Sequence, residues 1–116
     1  MIAEALVCLA LNLYHEARGE GPEGMRAVAS VTLNRVEDPR WPDTVCEVVY
    51  DPHQFSWTEN PPPILEPDAF AAALLIAVEA EPDPDFGTHY HAVSVDPYWA
   101  QHYPVLGRVG DHIFYE

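Results

Sequence analysis

Ile2, Leu6, Leu9, Leu13 and Ala17 recur at three- and four-residue steps, the spacing of one face of an α-helix. Val7, Cys8, Leu11 and Tyr14 make other faces apolar too, so this first helix, Ile2 to Glu16, is expected to be surrounded by protein. Glu16 projects at the edge of the Leu6/Leu9/Leu13 stripe, and Gly19 is expected to stop the helix from the C′ position. Gly21-Pro22-Glu23-Gly24 reads as a turn, with Pro22 suited to a helix start. Met25, Val28, Ala29, Val31, Thr32 and Val36 predict a second helix to about Glu37, ended before Asp38-Pro39. Arg40 to Asp43 is loop, and Asp43 or Thr44 caps a short third helix, Val45 to Tyr50. Asp51 to Pro67, which includes Pro61-Pro62-Pro63, is irregular, and a loop of that length in a small domain tends to be functional. Pro67-Asp68 opens a fourth helix through Phe70, Ala73, Leu74, Ala77 and Val78, ending near Glu81.

After the acidic turn Pro82-Asp83-Pro84-Asp85 the pattern changes period. Thr88 to Val95 alternates and is rich in β-formers, which predicts a strand. Asp96-Pro97 ends it with turn chemistry, and Tyr98 to His102 is a short helix or turn. Val105 to Val109, Gly110-Asp111 and His112 to Tyr115 predict a closing β-hairpin. Helices followed by a small antiparallel sheet near the C-terminus give an α+β class, mainly helical. The 116 residues suffice for one domain, 1–116, with a small core of its own.

Composition narrows the function. The formal charge is −14, from 19 acidic residues against five Arg and no Lys. That argues against nucleic acid, whose binding rests on cationic contacts to phosphate, and against stable association with an anionic membrane. No run approaches the roughly 18 apolar residues of a membrane span. A neutral or cationic partner such as a sugar polymer fits this charge, as does a role in solubility or life at high salt. No Lys or Arg precedes Arg18, so no secretory signal is expected at the N-terminus. Cys8 and Cys46 lie far apart in apolar helical contexts and are expected to be buried free thiols; two cysteines do not make a zinc framework.

Chemistry concentrates in a few places. A carboxylate at the inner end of an apolar helix is partly desolvated, which favours its neutral form, and the negative end of the helix dipole pushes the same way. Glu16 is therefore a candidate general acid for a glycosidic oxygen; its structural alternative is an ion pair with Arg18 or Arg35. Glu20 is the candidate second carboxylate, since glycoside hydrolases use two at defined separations; otherwise it is a turn residue. Gln54, Phe55, Ser56 and Trp57 combine aromatic faces with hydrogen-bonding edges, as sugars require. His89 and His91 share one face of the predicted strand, with Tyr90 on the other. Those two histidines with His15 or His112 would form a metal site in an alternative reading. No nucleophile elbow, reactive thiol setting or phosphate loop is present, and no cofactor is expected.

Together the motifs resemble the SleB/CwlJ-type cell wall hydrolases, which include spore-cortex-lytic enzymes and related phage endolysins. The residues that carry the resemblance are Leu13-Tyr14-His15-Glu16-Ala17-Arg18-Gly19-Glu20, the Ala27 to Val36 helix with Leu33-Asn34-Arg35, Trp41 to Tyr50, Gln54-Phe55-Ser56-Trp57, Thr88-His89-Tyr90-His91-Ala92, Pro97-x-Trp99-Ala100 and Gly110-x-His112-x-Phe114-Tyr115. The resemblance implies a lysozyme-like or lytic-transglycosylase-like domain acting on peptidoglycan glycan strands. It makes Glu16 the acid/base for cleavage of the β-1,4 bond between N-acetylmuramic acid and N-acetylglucosamine, by transglycosylation or hydrolysis. Tyr14, Gln54, Phe55, Ser56, Trp57, His89, Tyr90 and His91 are the expected substrate-binding residues. The chain would be made in the cytoplasm and act on the bacterial wall, as a monomer by default. A metal-dependent amidase or peptidase, and a non-catalytic glycan-binding module, are the competing readings.

Overall fold

The computed structural model describes residues 2–116; the side chain of Ile2, part of the expected stripe, lies outside the described set. Helix α1 (Ile2–Ala17) is the central rod, with α2 (Gly21–Val36), α3 (Val45–Val49) and α4 (Pro67–Glu79) packed against it. Leu9, Ala10, Leu13, Tyr14 and Ala17 of α1 are buried, so the C-terminal half of the helix is enclosed by protein as expected. Val7, in contrast, is 47% exposed and Leu6, Cys8 and Leu11 are half-buried, because no described element packs over the Val7 face of the first turns. Ala27, Val28, Ala29 and Val31 of α2 and Ala73, Ile76 and Ala77 of α4 complete the main core, with Phe114 covering one end. Alanine at so many contact positions lets these helices approach closely without leaving voids.

Three strands follow, β1 (His89–Ala92), β2 (Val105–Val109) and β3 (His112–Tyr115). The sheet is antiparallel in the order β1-β3-β2, so the last strand is the central one. Tyr90 pairs with Phe114 and Ala92 with His112. The β2–β3 hairpin turns at Gly110, whose φ of +56° is a left-handed conformation that suits glycine. β1 is shorter than the expected Thr88–Val95 because its one partner, β3, is only four residues long. Beyond that partner Val93 and Val95 are exposed.

Two expectations need correction. Cys8 and Cys46 form a disulfide that ties α1 to α3. The apolar context of each reflected packing of the two helices against one another, which brings their Cα atoms to 5.3 Å, inside the range a disulfide spans. The break after α1 also differs. Arg18–Glu20 continue as one 3₁₀ turn, and the left-handed glycine is Gly21, at φ +77°, not Gly19. Gly21 then opens α2 with Pro22 in its first turn, so the expected turn at residues 21–24 is already helix. Of the two candidate caps of α3, Thr44 serves: its Oγ1 accepts from Glu47 N at 3.2 Å.

Candidate active site

Glu16 lies in the last turn of α1 and Tyr90 in the middle of β1. The tyrosine hydroxyl donates to Glu16 Oε1 at 2.9 Å. Strand alternation turns Tyr90 inward, where its ring stacks on Phe114 at 5.7 Å and meets His112 edge-on at 5.2 Å. The hydroxyl is thus delivered from a fixed ring. Burial pushes the Glu16 carboxyl above its ordinary value, while the Tyr90 hydrogen bond and the Arg35 charge pull it part of the way back. Burial next to that carboxylate also holds the Tyr90 phenol well above its usual value, so Tyr90 keeps its proton to donate.

Arg35 ends α2 beneath this pair. Its Nε donates to Thr88 O at 2.8 Å, and its guanidinium lies 4.1 Å over the Trp41 ring. Burial lowers its pKa to about 10, which leaves it charged at neutral pH. It makes no ion pair with Glu16, and Arg18 pairs instead with Glu66 at 2.6 Å. Neither arginine therefore neutralises Glu16 by contact, and the structural alternative for that carboxylate fails.

Glu16 opens on two adjoining cavities. The larger, about 660 Å³, is lined by Glu16, Arg35, residues 89–92, Val95, residues 97–99 and His112. The smaller, about 420 Å³, is walled by His53, Gln54, Phe55, Ser56 and Glu59. Glu16, His53, Gln54 and Phe55 line both, so the carboxylate stands at the middle of a continuous groove. In the larger cavity Glu16 is the only carboxylate among the described lining residues. Such a groove can hold a polymer across one proton-donating group.

Residues 19–115 match the family model for cell wall hydrolases. The chain belongs to the cell wall hydrolase family. It is 33% identical to the spore cortex-lytic enzyme of Bacillus subtilis over 93% of its own length and 36% of that protein's. It is also 33% identical to the spore cortex-lytic enzyme of Halalkalibacterium halodurans, over 91% of the chain and 33% of that protein. The chain thus spans about a third of the length of the curated relatives it matches. Among solved structures it resembles the catalytic domain of the germination-specific lytic transglycosylase SleB from Bacillus anthracis, with a TM-score of 0.78 and 29% identity. That likeness covers 97% of this chain and 93% of that domain. The catalytic domain of Bacillus cereus SleB superposes with a TM-score of 0.76 at 28% identity, covering 97% of this chain and 91% of that one. The helices-then-sheet architecture is therefore the SleB catalytic fold. Glu16 lies just before the span matched by the family model, so its role rests on geometry.

Within this cell wall hydrolase the expected site residues divide into two sets. Gln54, Phe55, Ser56, His89, Tyr90 and His91 line the groove. Trp57 and Tyr14 do not. Trp57 is buried, donates from Nε1 to Asn12 Oδ1 at 3.0 Å and stacks on His15 at 4.6 Å, so it anchors the loop rather than facing a sugar. Tyr14 is 1% exposed, and its hydroxyl accepts from the backbone N–H groups of Leu65 and Glu66, fixing the entry to α4. Glu20 is also elsewhere: its Oε1 accepts from Asp111 N at 2.7 Å and lies 3.3 Å from His112 Nδ1, without hydrogen-bond alignment to the ring.

The four histidines of the metal reading are separated by their partners. His15 is on Trp57 and His112 by Glu20; His89 stacks on Tyr103 at 4.3 Å. His91 Nδ1 lies 2.7 Å from Ala92 O and must donate to it, which leaves Nε2 to accept from the Tyr115 hydroxyl at 2.7 Å. Among the described residues no group of three His, Cys, Asp or Glu is arranged to hold a metal ion. Arg35 and His53 join the groove without having been expected there. Arg35 carried a usable signal, a charge on the apolar face of α2; His53, at φ +65°, carried none.

Proposed function

We propose that the chain cleaves peptidoglycan at the β-1,4 bond between N-acetylmuramic acid and N-acetylglucosamine, as a lytic transglycosylase with Glu16 as its acid/base. The observation that carries this reading is a partly desolvated carboxyl, bonded to the Tyr90 hydroxyl, at the middle of an open groove. Glu16 protonates the glycosidic oxygen as the bond to the muramyl C1 breaks. The resulting carboxylate then takes the proton of the muramyl 6-hydroxyl as that oxygen closes on C1, giving a 1,6-anhydro ring. The carboxyl ends as it began, so one residue serves both steps. Hydrolysis instead calls for a second carboxyl or a held water. The groove's other carboxylate among the described residues, Glu59, lines the smaller cavity beside His53 and not the larger one, so the single carboxyl of the larger cavity supports ring closure there. The name of the related SleB domain, a lytic transglycosylase, supports the same choice. The Cys8–Cys46 disulfide fits work in an oxidising setting outside the cytoplasm, where the bacterial wall is.

The test is mass spectrometry of purified peptidoglycan digested by the wild type and by Glu16→Gln. Anhydro-muramyl fragments from the wild type, lost in the variant, are expected. Reducing muramyl ends would make the enzyme a muramidase, and free amines on intact glycan would sink the glycosidase reading.

A further inference from the structure

The larger cavity has a wall that the acid/base chemistry does not use. Past β1 the chain runs through Val95, Pro97, Tyr98 and Trp99, all of which line the groove that holds Glu16. Tyr98 is 80% exposed and Val95 52%, and unlike the exposed Leu65 or Leu75 both lie in the lining of the groove that holds Glu16. The segment is nonetheless held in place. Val93 N donates to Asp111 O, Val95 N to Ala92 O and Ala100 N to Pro97 O. Trp99 packs against His89 and His91 on one side and Tyr115 on another, with ring centroids between 5.3 and 5.7 Å apart. The backbone that carries Tyr98 is thus anchored through its neighbour Trp99, while the Tyr98 ring itself is exposed in the groove.

The groove-facing residues of this wall are also uncharged, with Asp96 outside the lining. In a chain with a formal charge of −14, the groove-lining residues from Ala92 to Trp99 are all neutral. The opposite flank of Glu16 is polar, with His53 and Glu59 3.4 Å apart beside Gln54 and Ser56. A flat, neutral, apolar face next to hydrogen-bonding edges matches a pyranose ring, which presents C–H groups on its faces and hydroxyls at its rim.

We propose that Tyr98, next to the anchored Trp99 and with Val95 and Pro97 in the same wall, is a saccharide-stacking platform that holds one arm of the glycan while the His53–Glu59 flank takes the other. This rests on the reading of Glu16 as a glycan-cleaving acid. The enzyme then binds sugars on both sides of the bond it breaks, and grips strands rather than disaccharides. Tyr98 is a positioning residue and touches no reacting atom.

The test uses a peptide-free octasaccharide of alternating N-acetylglucosamine and N-acetylmuramic acid. Tyr98→Ala is expected to raise KM roughly five- to tenfold with kcat within about twofold, the size of one lost aromatic contact. Tyr98→Phe, which keeps the ring, is expected to behave as wild type. In parallel, binding of the octasaccharide to Glu16→Gln is followed by tryptophan fluorescence, with and without Tyr98→Ala. The double variant is expected to bind more weakly by the same factor. Unchanged KM and unchanged binding in the Tyr98→Ala proteins would overturn the platform, and so would Tyr98→Phe losing as much as Tyr98→Ala. A wild type that binds the strand but does not cleave it would overturn the proposed function, and the binding pair would still decide Tyr98. Absence of strand binding by both the wild type and Glu16→Gln would overturn both.

Discussion

Glu16 and Glu20 are four residues apart, yet the fold gives them opposite treatment. Glu16 has one hydrogen-bond donor, Tyr90, and otherwise faces the groove. Glu20 is tucked against Gly24 and Gly110, where a Cβ would fall 2.4 and 2.5 Å from its side chain. It accepts from the backbone of Asp111 and sits beside His112. The first carboxylate is left reactive by being under-bonded. The second is committed, because it pins the turn after α1 to the β2–β3 hairpin that places β1. The single 3₁₀ turn Arg18–Glu20 separates the two environments.

The sharpest way to break this contrast is to remove each carboxylate in turn. Glu16→Gln is expected to lower kcat on the order of 10²–10⁴-fold, the usual weight of a general acid, with the melting temperature and circular dichroism unchanged. Glu20→Ala is expected to cost about 0.5–1.5 kcal/mol, since it removes the acceptor of the Asp111 N–H, an exposed amide that water can reach, while the folded fraction cleaves at a near-normal rate. Equal catalytic losses in the two variants would return Glu20 to the role of second carboxylate.

A larger stability effect is expected at the other end of α1. The disulfide closes a separation of 38 residues, and its removal is expected to destabilise the domain by about 3–4 kcal/mol in the chain-entropy account. Cys8→Ser with Cys46→Ser should therefore melt roughly 10 °C lower or more, as should the wild type in reductant. If α1 is held mainly by its core rather than by this tie, the shift will be only a few degrees.

These contrasts also separate what the sequence made legible from what it hid. The order of helices and strands was readable because hydrophobic period is a local property, and α1, α2 and the hairpin have clear periods. The half-buried setting of Glu16 was readable because its signal, a carboxyl at the end of an apolar helix, is local too. The disulfide, the burial of Tyr14 and Trp57 and the anchoring of Glu20 were not. Each depends on a partner far along the chain: Cys46, the backbone at Leu65 and Glu66, Asn12, and Asp111. An aromatic next to a motif reads the same whether it faces a ligand or a buried amide. The left-handed glycine fell at Gly21 because the 3₁₀ turn carried the chain past Gly19, a choice set by where α2 packs.

The smallest expected effect tests why Glu16 is under-bonded rather than unbonded. The Tyr90 hydroxyl favours the carboxylate form and so lowers a pKa that burial raises. Tyr90→Phe removes that pull and leaves the burial in place, so the Glu16 carboxyl should titrate at higher pH. Since the proposed first step needs the protonated acid, the alkaline limb of the kcat/KM profile is expected to move to higher pH in Tyr90→Phe. The same shift is expected, for the same reason of sign, when the Arg35 charge is removed, although the loss of a buried side chain will also lower stability. If Tyr90 instead serves only to aim the carboxyl, kcat will fall with the alkaline limb unmoved. The direction of that limb therefore distinguishes a hydrogen bond that sets the acid's strength from one that sets its position.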